Sequence, residues 1–477
     1  MAVRLASDPK RVIARPFIPG REGRVDAILD RVLGLSEEDV SALIDRILDR
    51  YASRHRNITR VFERHFESVS AKLNGRTPPS YKRRWLIGAY FTSEYSLESV
   101  ALFNPSMVLH PNQSDLRAGE ARFVMSLRAC GEGHISSIEF RSGVIDSGHG
   151  ITFDPVSTFA ASQNPVDDYL HNKNRFFLKL NEIRAYRPTV DRVVEQLADE
   201  FTISDLERAL ETVRHTCRDI DAFDELSESM LWVAHSSYRL EFSSETDISE
   251  RVIFPVTENE SRGIEDARFV RFTYADGRVV YYATFTAYNG VRSLPQFIET
   301  SDFLRFRVNT LNGKCAQDKG MALFPRKVAD RYTMISRLDG ENIYVLRSDD
   351  LHFWNEAQKI QSPTHPWEFV QIGNCGSPIE TEKGWLLLTH GVGAMREYWM
   401  SALLLDLEDP SKVIGHLKDP ILMPADDDRD GYVPNVVYSC GGMIHAGELI
   451  LPYGICDTST SVVRMELGAL LSSFQRA

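Results

Sequence analysis

Glu265 and Asp266 stand side by side in Gly263-Ile-Glu265-Asp266-Ala-Arg268, at the entrance to a β-rich run, and are the residues best placed for proton chemistry. Successive residues of a strand face opposite sides. One carboxylate can therefore enter a pocket while its neighbour holds backbone or a nearby arginine such as Arg268. A Glu-Asp-x-Arg string is most often a surface turn with a local ion pair. Here it lies between apolar runs and precedes a segment rich in Tyr and Phe, which favours burial. A second group is basic or amide-bearing: Lys319 ahead of Leu323-Phe-Pro325, Arg337 at a strand end, Gln371 before Gly373, and His390-Gly391. Singly, each reads as a solvated, ion-paired or structural residue. A third group is acidic, with Asp426, Asp427, Asp428 and Asp430 around Arg429. Such runs are usually solvated loops, although they can also accept hydrogen bonds from sugar hydroxyls. Aromatic residues near the three groups (Trp367, Tyr398, Trp399 and Tyr453 among them) could stack on sugar faces, though most such rings serve cores. The sequence has no P-loop, strand-anchored GxGxxG, GxSxG or HExxH. That weakens nucleotide-dependent, serine-hydrolase and zincin readings. His134 and Ser136 lack a third partner that would make them a nucleophile and base.

The elements that must position these residues change character along the chain. Residues 25–73 carry apolar positions at helical spacing, and Ser36 with Asp39 three residues on is a helix start. After Pro78-Pro79 the texture becomes β-rich runs paired across short turns: 122–128 with 135–141, 269–274 with 278–288, 332–337 with 342–347, 385–390 with 398–407, and 448–453 with 461–467. The last four pairs recur at roughly 55–65 residues, longer than the about 40–50 of compact propeller repeats. Five such blocks suggest a five-bladed β-propeller, and the period alone leaves a β-sandwich open. Residues 167–235 interrupt the pattern with helical spacing, and Thr202-Ile-Ser204-Asp205 supplies a helix start inside them. The expected organisation is a helical N-terminal region over 1–80 and a β-propeller over 81–477, interrupted by a helical insertion at about 155–235. The amphipathic stripes of the helical parts suggest a homodimer.

With 477 residues, 43% hydrophobic and 26% charged, the chain has the composition of a globular protein. No apolar run is long enough to span a bilayer, and residues 1–21 lack the apolar stretch of a secretory signal, so cytoplasmic residence is expected. The six cysteines are scattered, which fits free thiols better than disulfides or a zinc site. A net charge of −12 opposes binding to nucleic acid or to an anionic membrane but leaves room for a local basic pocket.

Taken in order, several stretches resemble glycoside hydrolase family 130, the inverting β-mannosidases and β-mannoside phosphorylases. They are Phe103-Asn-Pro105, Gly263-Ile-Glu-Asp-Ala-Arg268, Asp318-Lys-Gly-Met-Ala-Leu-Phe-Pro325, Met334-Ile-Ser-Arg337 and Gln371-Ile-Gly373. Further on come Gly384-Trp-Leu-Leu-Leu-Thr-His-Gly-Val392, Leu403-Leu-Leu-Asp-Leu407, Gly431-Tyr-Val-Pro-Asn-Val-Val437 and Tyr453-Gly-Ile-Cys-Asp457. The two helical parts lie outside the match. The resemblance implies a five-bladed propeller, with Asp266 as general acid passing its proton through a hydroxyl of the bound mannosyl residue. It also implies that Asp457 and Asn104 hold mannose hydroxyls, and that Glu265 supports rather than reacts. Ala267 stands where the family usually has Pro.

The resemblance places Lys319, Arg337, Gln371, His390 and Tyr398 where family phosphorylases bind inorganic phosphate. Gln371 replaces a lysine there and removes a full charge, and charge-assisted hydrogen bonds are the stronger ones. This favours hydrolysis of β-linked manno-oligosaccharides, in which water attacks and a carboxylate base must stand about 6.5–9.5 Å from the acid. Asp428 is the candidate base, with Asp427 or Asp430 as substitutes. The alternative is a phosphorylase that releases mannose 1-phosphate, with inorganic phosphate as co-substrate on Lys319, Arg337 and His390. A third reading is a non-catalytic glycan-binding propeller. No metal or organic cofactor is implied.

Overall fold

The period-two runs fold as antiparallel pairs inside five sheets of a computed structural model, which describes residues 3–21, 23–73, 78–162, 164–165, 169–182, 188–290, 293–426 and 429–476. In chain order the pairs are Ala121–Cys130 with Ser136–Ile145, Ile264–Thr273 with Val279–Tyr288, Tyr332–Ser336 with Ile343–Ser348, Gly384–Val392 with Tyr398–Leu405, and Glu448–Ile455 with Ser459–Glu466. The chain is therefore mainly β. Strands Ala101–Leu109, Ala322–Leu323, Gln371–Asn374 and Val437–Tyr438 lie beside the first, third, fourth and fifth pairs. Ile264–Thr273 is itself the edge of the second sheet.

Each sheet buries both faces, which explains why its central strands read as almost unbroken apolar runs. In Gly384–Val392 every residue is buried, and its side chains alternate between two cores. Trp385 and Leu387 pack with Phe324, Ile335 and Val345 of the third sheet. Leu386 and Leu388 pack with Val437, Leu449 and Leu451 of the fifth. The same alternation joins the first sheet to the second through Phe140, Phe269 and Phe285, and the second to the third through Phe272, Tyr282 and Met334. Leu102, Met107, Met125, Met443 and Ile450 join the fifth sheet back to the first. Backbone bonds reinforce that last junction: Leu102 N–H donates to the Thr458 carbonyl (3.0 Å), and Cys440 N–H to the Pro105 carbonyl (2.8 Å). The strand Arg4–Leu5 completes the fifth sheet, pairing Arg4 with Ser461.

The helical segments have cores of their own. Helices Arg24–Leu33, Glu37–Tyr51, Ile58–Ser70 and Tyr81–Tyr90 bury Leu29, Val40, Phe66 and Leu86 together. The Ser36 hydroxyl caps the second of them by accepting from Asp39 N–H. Buried Arg83 donates to the carbonyls of Val32, Leu33 and Leu35, meeting groups that a helix end leaves unpaired. Helices Lys173–Glu182, Pro188–Val194, Ile203–Arg214 and Ile220–His235 share a separate core around Val193, Leu206 and Met230. A capping box of Thr202 and Asp205 starts the third of these. No helix among the described residues is long and apolar enough to cross a membrane.

A buried ionic cluster ties the N-terminal segment to the first sheet. Arg11 Nε lies 2.9 Å from both Glu98 Oε1 and Glu139 Oε2, and Arg141 donates to the same two carboxylates at 2.6 and 3.2 Å. All four side chains are at most 5% exposed. Removing one partner of a buried ion pair leaves an uncompensated charge. Arg11→Met is therefore expected to destabilise the protein by about 3–5 kcal/mol, measured as a lower midpoint in urea denaturation.

Candidate functional site

Asn104, Asp266 and Asp457 adopt left-handed backbone conformations, with φ of 49°, 55° and 50°. Asn and Asp tolerate this region better than other residues with a side chain. In the first two cases a bulge accompanies it: the register shifts by one residue between Phe103 and Ser106, and again between Glu265 and Arg268. A bulge re-aims the side chains it carries. The result is that Asn104 Nδ2 donates to Asp266 Oδ1 at 2.7 Å, joining the edge strands of the first two sheets.

These residues line a cavity of about 350 Å³ with Glu265, Arg268, Lys319, Arg337, Gln371, His390 and Tyr398. Every residue named from the sequence for the acid, the sugar subsite or the phosphate cradle is there; Asp426 and Asp430 are exposed and do not line the cavity, nor do Trp367, Trp399 and Tyr453. Asp428 and Asp427, the candidate base and one of its substitutes, lie outside the described residues. Sequence reasoning missed Arg128, Asn374, Arg396 and Tyr438. Arg128 had a weak signal, as the lone charge late in an otherwise apolar alternating run; Arg396 sits in a hairpin turn and had none.

Positive charge exceeds negative charge in this cavity. Arg128, Arg268, Lys319, Arg337 and Arg396 face Glu265, Asp266 and Asp457, although the whole chain carries −12. Glu265 is engaged on both oxygens, accepting from Arg128 Nη2 at 2.9 Å and from Lys319 Nζ at 2.5 Å. Asp266 is flanked by Arg128 Nη1 at 3.6 Å and Arg268 Nη2 at 3.7 Å. Burial alone would raise the Asp266 carboxyl. Arg128, Arg268, Lys319 and the Asn104 amide outweigh it and hold the group below the usual carboxylate range. Asp457 goes the other way: burial pushes it up to about 7, against the pull of Arg128 and with the help of neighbouring Asp266. Two carboxyl groups in one cavity thus differ in their hold on a proton.

In the same cavity, His390 is 3% exposed, stacks parallel on Tyr398 (5.8 Å between centroids) and meets Tyr438 edge-on at 5.0 Å. Burial, with Arg337 and Arg268 nearby, pushes its imidazole down to about 3, so it is neutral and carries one N–H. Gly373 lies opposite His390 across the strand pair, and a β-carbon there would fall 2.5 Å from His390 Cε1. Buried Arg337 Nε has no hydrogen-bond partner among the described residues, with Asp318 Oδ2 3.9 Å away. Lys319 and Arg337 thus bring two cationic donors to this cavity, while the single His390 N–H is turned to the Asn374 backbone. Among the described residues, no group of His, Cys, Asp and Glu could hold a metal ion.

A mainly β scaffold with a carboxylate pair beside a cationic cradle is the site of a carbohydrate-cleaving enzyme, a glycosidase or glycoside phosphorylase. The family described as β-1,4-mannooligosaccharide phosphorylase, glycoside hydrolase family 130, matches residues 240–476. A 1,2-β-oligomannan phosphorylase of Thermoanaerobacter sp. (strain X514) is 37% identical over 216 residues, spanning 44% of this chain and 71% of that one. A β-1,2-mannobiose phosphorylase of Listeria innocua is 30% identical over 233 residues, spanning 47% and 63%. The solved structure of the β-1,2-mannobiose phosphorylase from Listeria innocua with β-1,2-mannobiose covers 80% of this chain and 92% of that one, at 20% identity and a TM-score of 0.47. The chain belongs to glycoside hydrolase family 130.

Gly373→Ala should displace the His390 ring while leaving the carboxylates in place. The expected result is a loss of about a hundredfold in kcat/KM, with an unchanged circular dichroism spectrum.

Proposed function

We propose that the five sheets are the blades of a five-bladed β-propeller, and that the chain cleaves β-linked manno-oligosaccharides by inverting phosphorolysis. The succession of shared cores, with the fifth sheet returning to the first, supports the propeller. The surplus of cations beside Asp266 carries the functional reading, because an anionic nucleophile needs such a cradle. The relatives matched are phosphorylases by name, which favours phosphate over water.

In this reaction phosphate sits on Lys319, Arg337, His390 and Tyr398, and one of its oxygens attacks the anomeric carbon. The bond from that carbon to the glycosidic oxygen breaks. A proton from Asp266, relayed through a mannosyl hydroxyl, ends on the departing sugar. Mannose 1-phosphate forms with inverted configuration. Asn104, Asp457 and Arg268 hold the mannosyl residue, and Glu265 orders Arg128 and Lys319 around it. A phosphate dianion on the cradle offsets part of the cationic field that lowers the Asp266 carboxyl, and so raises its pKa toward the protonated form that an acid needs.

A second reading, hydrolysis, rests on Gln371, which offers the cradle an amide where a lysine would supply charge. Incubation with β-mannobiose, with and without inorganic phosphate, separates the two. Mannose 1-phosphate formed only with phosphate is expected; free mannose at a rate indifferent to phosphate would overturn phosphorolysis. Asp266→Asn should lower kcat by about 10²–10⁴-fold, and Gln371→Lys should lower the KM for phosphate by about tenfold. An acid must be protonated to act, so activity falls as pH rises through its pKa. Because bound phosphate raises that pKa, the alkaline limb is expected at higher pH in kcat than in kcat/KM for phosphate.

A further inference from the structure

A second cavity, of about 400 Å³, lies where the helical insertion meets the second sheet, within the range of about 300–1,000 Å³ common for ligand sites. Its floor is a row of residues on adjacent strands, Glu299 opposite Arg307 and Arg307 opposite Arg239. Its roof is the helix Lys173–Glu182, which turns Arg175 and Lys179 to the cavity and Leu180 to the helical core. The helix is fastened there: Lys179 Nζ donates to the Leu311 carbonyl at 2.9 Å and to Glu182 at 3.1 Å.

Two features set this cavity apart from a packed junction. Arg175 and Arg307 are exposed and, among the described residues, have no carboxylate within ion-pair distance, although both bear on His352. Among the described residues, four buried polar atoms around the cavity have no hydrogen-bond partner: His171 Nε2, His352 Nδ1, Asn309 Nδ2 and Asn312 Oδ1. Their residues are 2–9% exposed. Asn309 already accepts from Tyr169 through its oxygen, which leaves its N–H₂ free to donate. Burial pushes both imidazoles down to about 4, so each is neutral, with one nitrogen able to donate and one able to accept. Buried polar atoms are seldom left unpaired. Two open guanidiniums suit a phosphate group, and a ring of neutral donors and acceptors suits sugar hydroxyls.

We propose that this cavity is a second ligand site, separate from the Asp266 cavity, and that it takes a phosphorylated sugar. Arg175 and Arg307 hold the phosphate, while His171, His352, Asn309 and Asn312 hold hydroxyls. The choice of mannose 1-phosphate as the probe rests on the proposed reaction. A chain carrying Lys319→Ala and Arg337→Ala, which strips two cations from the Asp266 cavity, is titrated with mannose 1-phosphate by calorimetry. One equivalent is expected to bind, and inorganic phosphate to bind about tenfold or more weakly. Adding Arg175→Ala and Arg307→Ala, both at exposed positions, should weaken mannose 1-phosphate by about tenfold or more with an unchanged circular dichroism spectrum. Arg175→Ala and Arg307→Ala in the otherwise natural chain should leave basal turnover unchanged. No binding to the first variant, or binding that survives loss of both arginines, would overturn the site. Equal affinity for inorganic phosphate would overturn its preference for a sugar. Failure of phosphorolysis would appear separately, as turnover indifferent to phosphate, since calorimetry here reads binding alone.

Discussion

A carboxylate withdrawn from water must be met by positive charge or take up a proton. Asp266 meets this constraint with Arg128, Arg268 and Lys319, none of which lies on a neighbouring turn of chain except Arg268. Arg128 comes from the central strand of the first sheet, Arg268 from the edge strand of the second, and Lys319 from the loop entering the third. Three sheets must be correctly packed before the charge on Asp266 is tolerable. The apolar cores between them therefore serve the electrostatics of the cavity as well as the stability of the scaffold.

The fold was partly legible because two-sided burial leaves a strong mark. The strand pairs stood out as alternating or continuous apolar runs, and the sheets keep them. What the sequence hid were short strands such as Ala322–Leu323 and Val437–Tyr438, too brief to carry a period, and distant pairings such as Arg4 with Ser461. The site was legible by another route. Asp266, Lys319, His390 and Asp457 were found through ordered motifs, and those motifs have physical causes: Gly373 leaves room for the His390 ring, and Asn and Asp occupy left-handed positions. Arg396 had no such cause to reveal it. It reaches the cavity from a hairpin tip whose local sequence imposes nothing recognisable.

Charge is distributed unevenly at two scales. The chain as a whole is acidic, yet both cavities gather arginine and lysine, and in each the histidines are kept neutral by burial. An acidic exterior around a local basic pocket repels polyanions while still admitting a small anion that can enter the pocket. Selection by size and by charge then operate together.

The fifth sheet contains strands drawn from positions 455 residues apart, with Arg4 donating to the Ser459 hydroxyl. During synthesis, Arg4–Leu5 leaves the ribosome long before Ser459–Glu466 exists, and it must wait unpaired while most of the other sheets are being made. Pairings this remote in sequence slow folding, because loop closure must precede the contacts that reward it. Until that late pairing the nascent chain carries an open sheet edge, the kind of surface that other chains can pair with. The first described strand of the chain is thus among the last to find its place in a sheet.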